Sequence, residues 1–278
     1  MLLPRFAVDD IITTALKEDI HYLDTTTDLM IPADSRSTAR FLAKAEGVVC
    51  GMEIAMRVFI LLDDSFTCRV YVQDGDPVKP GDVLAECEGS TRFLLKGERT
   101  ALNLLQHLSG IASATNRAVK LVEGTRATIT DTRKTLPGLR ALQKYAVTVG
   151  GGKNHRFNLS DGAMLKDNHI DAAGGITPAV NALRSRLGHM VKLEVETRNL
   201  DEVKEALAAG ADIIMLDNMS CEDMRRAVEL AAGRVPLEAS GGITAETLRQ
   251  VAETGVDIIS IGALTHSVKA LDISMKIK

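Results

Sequence analysis

The sequence predicts an α/β protein whose larger part is an incomplete (β/α) barrel, preceded by a smaller α+β region. Six short apolar runs, at 128–130, 163–165, 191–195, 212–216, 235–239 and 257–261, read as buried strands, with helically spaced segments between them. Strand and helix in alternation imply parallel strands joined by right-handed crossovers. The runs end in residues suited to anions, metals or phosphates: Arg133 and Lys134, Lys166, Glu196, Asp217, Ser240-Gly241-Gly242 and Gly262-Ala263. A barrel gathers all its strand C-termini on one face, whereas a doubly wound sheet concentrates chemistry at one switch point, so the barrel is favoured. Six strands rather than eight leave an open side that something else must cover.

The chain begins with a predicted helix at 8–18, followed by strand-like segments at 37–44 and 67–72. From Asp74 to Asp82 the order Asp-Gly-Asp-Pro-Val-Lys-Pro-Gly-Asp places Gly, Pro and Asp where tight turns need them. Lys79 lacks the flanks of a cofactor-attachment lysine, so this is read as a structural turn. Ala101, Leu104, Leu105, Leu108 and Ile111 recur at helical spacing, which predicts a long helix over 97–122. The expected division is therefore a first domain at 1–104, with 267–278 free to pack against it, and a barrel domain at 105–266. Further helices are expected at 139–149, 177–187, 200–209, 221–232 and 245–254. Ala209-Gly210-Ala211-Asp212 and Thr254-Gly255-Val256-Asp257 are one helix-stop, strand-start phrase used twice. Gly150-Gly151-Gly152 has no strand before it and no dinucleotide spacing, and is read as a flexible hinge.

Composition removes several function classes. With 278 residues, 45% hydrophobic and 25% charged, the chain can bury a sizeable core and is not disordered. A net charge of -4 gives no global attraction to nucleic acid, and the absence of Trp leaves little for base stacking. Cys50, Cys68, Cys87 and Cys221 show no CxxC or zinc spacing and are expected to be reduced thiols. No apolar stretch reads as a signal peptide or a span, so neither a membrane nor a nucleic acid is an expected partner, and a cytoplasmic location is.

The chemistry concentrates in a few phrases. Asp131-Thr132-Arg133-Lys134-Thr135-Leu136-Pro137-Gly138 follows the first barrel strand and presents two cations on a loop. Asn154-His155-Arg156 and Lys166-Asp167-Asn168-His169 add further positive groups at the next strand end. A guanidinium fork suits a planar carboxylate, and a Lys serves as a point charge, so the implied ligand carries several negative charges. Glu196 and Asp217 end adjacent strands, either as counter-ions or as oxygen ligands for magnesium beside a pyrophosphate. Lys192, Glu194 and Glu196 share strand parity and are expected to point inward and pair. Ser240-Gly241-Gly242 before a helix fits a phosphate, with Gly262 to Ser267 completing that pocket. His21, His107 and His189 stand alone and are read as structural, and His169 as orienting its loop.

Taken in order, these phrases resemble the quinolinate phosphoribosyltransferase family over essentially the full length. The resemblance rests on Glu98-Arg99-Thr100-Ala101-Leu102-Asn103, Leu108-Ser109-Gly110-Ile111-Ala112, Asp131-Thr132-Arg133-Lys134-Thr135, Asn154-His155-Arg156 and Leu165-Lys166-Asp167-Asn168-His169-Ile170. It continues through Glu194-Val195-Glu196, Met215-Leu216-Asp217-Asn218, Glu238-Ala239-Ser240-Gly241-Gly242 and Ser260 to Ser267. It implies an N-terminal α/β sandwich, an open barrel of six or seven strands, and a homodimer or higher homo-oligomer in which each N-terminal domain covers the partner's barrel. It also implies decarboxylating transfer of a phosphoribosyl group to quinolinate, in the biosynthesis of NAD, with Mg2+ as cofactor. By the same resemblance Arg99 would reach into the partner's site and join Arg133, His155, Arg156 and Lys166 around quinolinate. Lys134, Glu196, Asp217, Ser240, Gly241, Gly242, Gly262 and His266 would hold phosphoribosyl pyrophosphate. Glu196 and Asp217 would hold the metal, directly or through water, and the catalytic set would be Lys134, Lys166, Glu196 and Asp217. Leu136, where many relatives have Thr, and Gln106-His107, in place of a common Gln-Arg, depart from the pattern without removing a contact.

Other activities leave different marks. A non-decarboxylating phosphoribosyltransferase for another nitrogen heterocycle would need fewer cations than Arg133, Arg156 and Lys166. A binding protein without catalysis would leave Glu196 and Asp217 repelling its anion. A molybdenum-transport-associated paralogue shares much of the pattern and would differ in substrate.

Overall fold

The computed structural model describes residues 3–278. It divides into two compact units: Met1–Asn116, Thr135–Gly151 and Leu264–Lys278 in the first, Arg117–Lys134 and Gly152–Ala263 in the second. In chain order the elements begin α1 (Arg5–Asp19), α2 (Thr25–Met30), β1 (Arg36–Ala43), β2 (Gly47–Val48), α3 (Met52–Leu62), β3 (Thr67–Val70), β4 (Pro77–Val78), β5 (Val83–Ser90) and α4 (Thr91–Leu121). They continue β6 (Thr128–Thr130), α5 (Arg140–Val149), β7 (Ala163–Leu165), α6 (Asp167–Ala173), α7 (Ile176–Arg184), β8 (Leu193–Thr197), α8 (Leu200–Ala209) and β9 (Ile213–Asp217). The last are α9 (Cys221–Ala231), β10 (Leu237–Ser240), α10 (Ala245–Ala252), β11 (Ile258–Ser260), α11 (Ala263–His266) and β12 (Ile273–Ile277). No helix among the described residues is long and apolar enough to cross a membrane.

The first unit is built on an antiparallel sheet of order β12-β1-β5-β3. The C-terminal strand β12 pairs along β1 from Ala39 with Ile277 to Ala43 with Ile273. Phe41, Phe59 and Leu84 are fully buried, and the Phe59 ring stacks on Phe66 with centroids 5.2 Å apart. Helix α1 buries Val8, Ile12 and Leu16, a stripe at four-residue spacing. The run read as a turn does more than reverse the chain. The Asp74 carboxylate accepts the Gly51 and Met52 N–H groups at 2.9 and 3.0 Å, serving orphan donors at the start of α3. Helices α2 and α3 were not legible beforehand, because an apolar run such as Met-Glu-Ile-Ala-Met-Arg-Val-Phe-Ile-Leu-Leu fits a buried helix or strand equally.

The second unit is a six-stranded parallel sheet of order β6-β11-β10-β9-β8-β7. The last strand pairs back on the first, so the sheet curls round, and only the β6–β7 edge lacks strand pairing. A single bridge from Thr130 to Lys153 lies beside that gap. This is the open (β/α) barrel expected from the sequence. Its strands are nearly continuously buried, as in β10, where Leu237, Glu238 and Ala239 are all enclosed.

The repeated helix-stop phrase has one physical job. Gly210 and Gly255 take left-handed φ values of 85° and 93°, which close the preceding helical segments. The aspartate that follows then accepts a backbone N–H at the start of the neighbouring strand: Asp212 from Leu193 at 2.7 Å, Asp257 from Leu237 at 2.9 Å. Arg184 and Arg126 pair with these two carboxylates. The phrase therefore staples the barrel at the end opposite the chemistry.

Three expectations need correction. Gly150 is no hinge: it is buried, and an added Cβ would run into the Ala112 carbonyl oxygen and the Thr115 side chain. Strand β8 starts at Leu193, so Lys192 lies outside it, exposed, 3.9 Å from Asp212, rather than inside the barrel. The Asp167-Asn168-His169 run is the first turn of α6, where the His169 ring nitrogen accepts the Lys166 N–H at 3.1 Å.

Candidate active site

The strand ends of the second unit converge on one cavity of about 570 Å³. Thr132, Arg133 and Lys134 follow β6, and His155 and Arg156 follow the bridge at Lys153. Met164 and Lys166 come from the end of β7, Glu196 from β8, and Met215, Asp217 and Asn218 from β9. Glu238 and Ser240-Gly241-Gly242 come from β10 and its loop, and Ser260 from β11. Ten residues expected at the site, Arg133, Lys134, His155, Arg156, Lys166, Glu196, Asp217, Ser240, Gly241 and Gly242, line this cavity. Gly262 follows β11 in the same unit, while Arg99, exposed on α4, and His266, exposed on α11, belong to the first unit.

One wall is cationic. Arg156 is half-buried, and its guanidinium donates to the Gly162 carbonyl at 2.9 Å and meets the Met164 sulfur at 3.5 Å. Burial and then the nearby charge of Arg133 press its pKa down from the usual guanidinium range, while Glu194 works the other way. It remains a cation at any physiological pH. Lys166 Nζ donates to Glu196 Oε2 at 2.9 Å, placing a cation and a carboxylate together at the mouth.

The opposite side pairs carboxylate with glycine. Asp217 Oδ2 accepts the Asn218 side-chain amide at 2.8 Å, and the Asn218 N–H donates to the Ser240 carbonyl at 2.9 Å. Asn218 sits at φ 53°, a left-handed conformation that Asn tolerates better than most residues. Gly241 and Gly242 are also left-handed, at 91° and 60°, and a Cβ on Gly241 would collide with the Asn218 amide. Their backbone is therefore bare toward the cavity, just ahead of the N-terminus of α10. Such an arrangement receives phosphate oxygens.

Beneath the mouth His155 meets two buried acids: Glu194, expected to point inward and pair, and Glu238, which the sequence left without a role. Glu194 and Glu238 are 4% and 2% exposed, so both are sealed inside the barrel. His155 Nε2 lies 3.1 Å from Glu194 Oε2 and 3.6 Å from Glu238 Oε1. Burial, then the charge of Glu194, push the Glu238 carboxyl up to about 7. The fully buried Asp131 accepts the His155 backbone N–H at 2.9 Å. A signal did exist: Glu194 and Glu238 are lone acids within the apolar runs Leu-Glu-Val and Leu-Glu-Ala, where a strand has no water to offer them.

Residues 24–109 match the N-terminal domain, and residues 111–276 the C-terminal domain, of the family described as quinolinate phosphoribosyl transferase. The chain belongs to that family. A curated relative from Bacillus subtilis (strain 168), named probable nicotinate-nucleotide pyrophosphorylase (carboxylating), is 48% identical over 260 residues, covering 94% of this chain and 90% of that protein. Another from Nicotiana glauca, named quinolinate phosphoribosyltransferase (decarboxylating) 2, mitochondrial, is 42% identical over 293 residues, covering 99% of this chain and 83% of that protein. The crystal structure of NadC from Streptococcus pyogenes superposes with a TM-score of 0.96 at 45% identity, covering 100% of this chain and 99% of that one. The quinolinate phosphoribosyl transferase match thus spans both units, and the cavity lies within the part matched to the C-terminal domain.

Proposed function

We infer that this chain transfers a phosphoribosyl group from phosphoribosyl pyrophosphate to quinolinate with loss of carbon dioxide, yielding nicotinate mononucleotide and pyrophosphate for NAD biosynthesis. The observation that carries this reading is the division of one cavity into a cationic wall and a glycine-lined wall. Arg133, Arg156 and Lys166 suit a ligand with two adjacent carboxylates. A dicarboxylate between the two guanidiniums would relieve the repulsion that now presses on Arg156. A heterocycle with one carboxylate would leave one of these cations without an anion. In the same cavity Ser240, Gly241 and Gly242, with Lys134, suit the phosphates of the donor, and Gly262 and His266 are assigned to the same substrate.

Glu196 and Asp217 fit magnesium as hard oxygen donors at the ends of adjacent strands, since magnesium in phosphate chemistry commonly takes one or two protein carboxylates and the substrate's own oxygens. Magnesium held there, directly or through water, would supply positive charge where pyrophosphate builds negative charge. Neither acid has a histidine or a cysteine beside it in a grouping of three metal-binding side chains among the described residues.

The protein's part in the reaction is largely positioning and charge. Arg133, Arg156 and Lys166 hold the carboxylates so that the pyridine nitrogen faces C1 of the ribose. The nitrogen lone pair forms the N–C1 bond as the C1–O bond breaks and its electrons leave on pyrophosphate. Lys134 and Lys166 offset the negative charge on the leaving group, and Glu196 or Asp217 offsets positive charge on the ribose. The ring nitrogen is then cationic, so the bond from C2 to its carboxylate can break, with carbon dioxide leaving and the electron pair held on C2 beside that cation. A proton from water completes the product, and no covalent nucleophile is required.

Arg99 is assigned to a second copy of the chain. It is exposed on α4 and makes no hydrogen bond or ion pair among the described residues, and the barrel needs a cover on its open side. The working unit proposed here is therefore a homodimer, or a larger homo-oligomer, with shared sites, and its location is the cytoplasm. Incubation of the purified protein with quinolinate, phosphoribosyl pyrophosphate and magnesium tests the reading. Nicotinate mononucleotide should accumulate, and turnover of nicotinate in place of quinolinate would overturn it.

A further inference from the structure

We propose that Gln143 is a positioning residue for the phosphoribosyl donor, holding the loop that follows Lys134 and the turn that carries His266. The inference rests on the assignment of those two residues to phosphoribosyl pyrophosphate. Gln143 lies on α5 and is fully buried. Its side-chain oxygen accepts the Leu136 N–H at 2.9 Å, its amide nitrogen donates to the Thr265 carbonyl at 3.1 Å, and that nitrogen meets His107 Nε2 at 2.8 Å. All four residues belong to the first unit. Lys134 stands two positions before Leu136, and His266 one position after Thr265.

The orientation of the amide follows from its partners. A backbone N–H can only donate and a backbone carbonyl can only accept, so the oxygen faces Leu136 and the nitrogen faces Thr265. The second amide hydrogen then goes to His107, whose Nε2 accepts it and whose ring proton sits on Nδ1. Burial holds the His107 pKa below the ordinary histidine value, which keeps the ring neutral and Nε2 able to accept. One side chain thus joins α4, the loop after β6 and α11, with its oxygen and both hydrogens engaged.

Both segments need such an anchor. Leu136, Pro137 and Gly138 are exposed, and Gly138 is left-handed at φ 79°, so packing restrains this stretch little. Helix α11 has four residues and cannot hold its shape alone. A cation that meets a pyrophosphate as a point charge loses its effect when its loop wanders, and the same holds for a histidine on a short turn. Breaking either bond would strand a polar group of a fully buried side chain, so the tie is firmer than a surface contact. A Gln143 that served the fold alone would cost stability and treat both substrates alike.

Two substitutions separate its contacts. Gln143→Met keeps the bulk and removes all three, whereas Gln143→Glu keeps the acceptor for Leu136 and sets an oxygen against the Thr265 carbonyl. Gln143→Met should raise the KM for phosphoribosyl pyrophosphate roughly five- to tenfold and that for quinolinate by less than about threefold. Exchange of the Leu136 amide hydrogen in the unliganded protein, followed by NMR, should quicken roughly tenfold in Gln143→Met and stay near wild type in Gln143→Glu. Gln143→Glu should still raise the KM for phosphoribosyl pyrophosphate about threefold. Added to His266→Ala, it should cost less than about twofold more, because the contact it breaks serves that residue. Equal rises in both KM values, or lost thermal stability with both KM values unchanged, would leave Gln143 a structural residue and overturn the proposal. A multiplicative loss on His266→Ala would do the same. Should Gln143→Met fail to fold, Gln143→Glu alone and on His266→Ala decides the matter. Failure of the wild type to use quinolinate would remove the functional reading by itself. The exchange of Leu136, and the affinity of each variant for phosphoribosyl pyrophosphate with magnesium, would then still judge Gln143.

Discussion

Replacing Glu238 by Gln should make the protein more stable at pH 8 while leaving it almost unchanged near pH 5. Glu238 is sealed in the barrel opposite Glu194, and burial followed by that neighbouring charge raises its carboxyl from the ordinary 4.5 to about 7. A raised pKa means that the folded state holds the proton more tightly than the unfolded chain. The resulting stabilisation is complete below about pH 4.5 and is lost as pH rises through about 7. At 1.36 kcal/mol for each pH unit between those two values, the loss is at most about 3 kcal/mol. Gln has the shape of the neutral carboxyl and cannot ionise, so Glu238→Gln lacks this loss. Urea unfolding of both proteins at intervals from pH 4.5 to 8, followed by circular dichroism, measures the difference. It should be within about 1 kcal/mol at the acid end and grow to about 2–3 kcal/mol in favour of the variant at the alkaline end. A difference that stays constant across this range would refute the account of a buried, proton-holding Glu238.

Two further outcomes follow from the walls of the cavity. Gly241→Ala forces a side chain into left-handed backbone and against the Asn218 amide, so the KM for phosphoribosyl pyrophosphate should rise by roughly tenfold or more, with quinolinate binding much less affected. Unchanged kinetics in that variant would argue against phosphate contact at this turn. If Arg99 serves a second copy of the chain, mixing inactive Arg99→Ala with inactive Lys166→Ala should restore part of the activity in heterodimers that carry one intact site. Mixed dimers shown to form yet wholly inactive would contradict the shared site.

The barrel was legible because its strands are short, apolar and punctuated. Leu200–Ala209 was readable to the residue, since Asn199 caps it and Gly210 stops it. The start of β8 was misplaced by two residues, because Val191 and Lys192 continue the pattern of alternation although the pairing with β9 begins at Glu194. Pairing partners are not written in a local pattern. The rim of the cavity was legible for a similar reason: Arg133, Lys166, Glu196 and Asp217 stand at strand ends where a charge needs an explanation. Its floor was not. That Glu238 and Glu194 meet one imidazole depends on three strands of the curled sheet and on the chain after Lys153, and the spacing from 155 to 194 to 238 carries no hint of it. Gly150 shows the converse, since a triple glycine that reads as freedom proves to be a close approach of two helices within the first unit.

The proposed reaction has a single stoichiometry. Quinolinate labelled in the carboxylate at C2, supplied with phosphoribosyl pyrophosphate and magnesium, should release labelled carbon dioxide and pyrophosphate in equal amounts, with one nicotinate mononucleotide for each. Pyrophosphate released without labelled carbon dioxide, or no reaction with quinolinate while nicotinate is consumed, would contradict it.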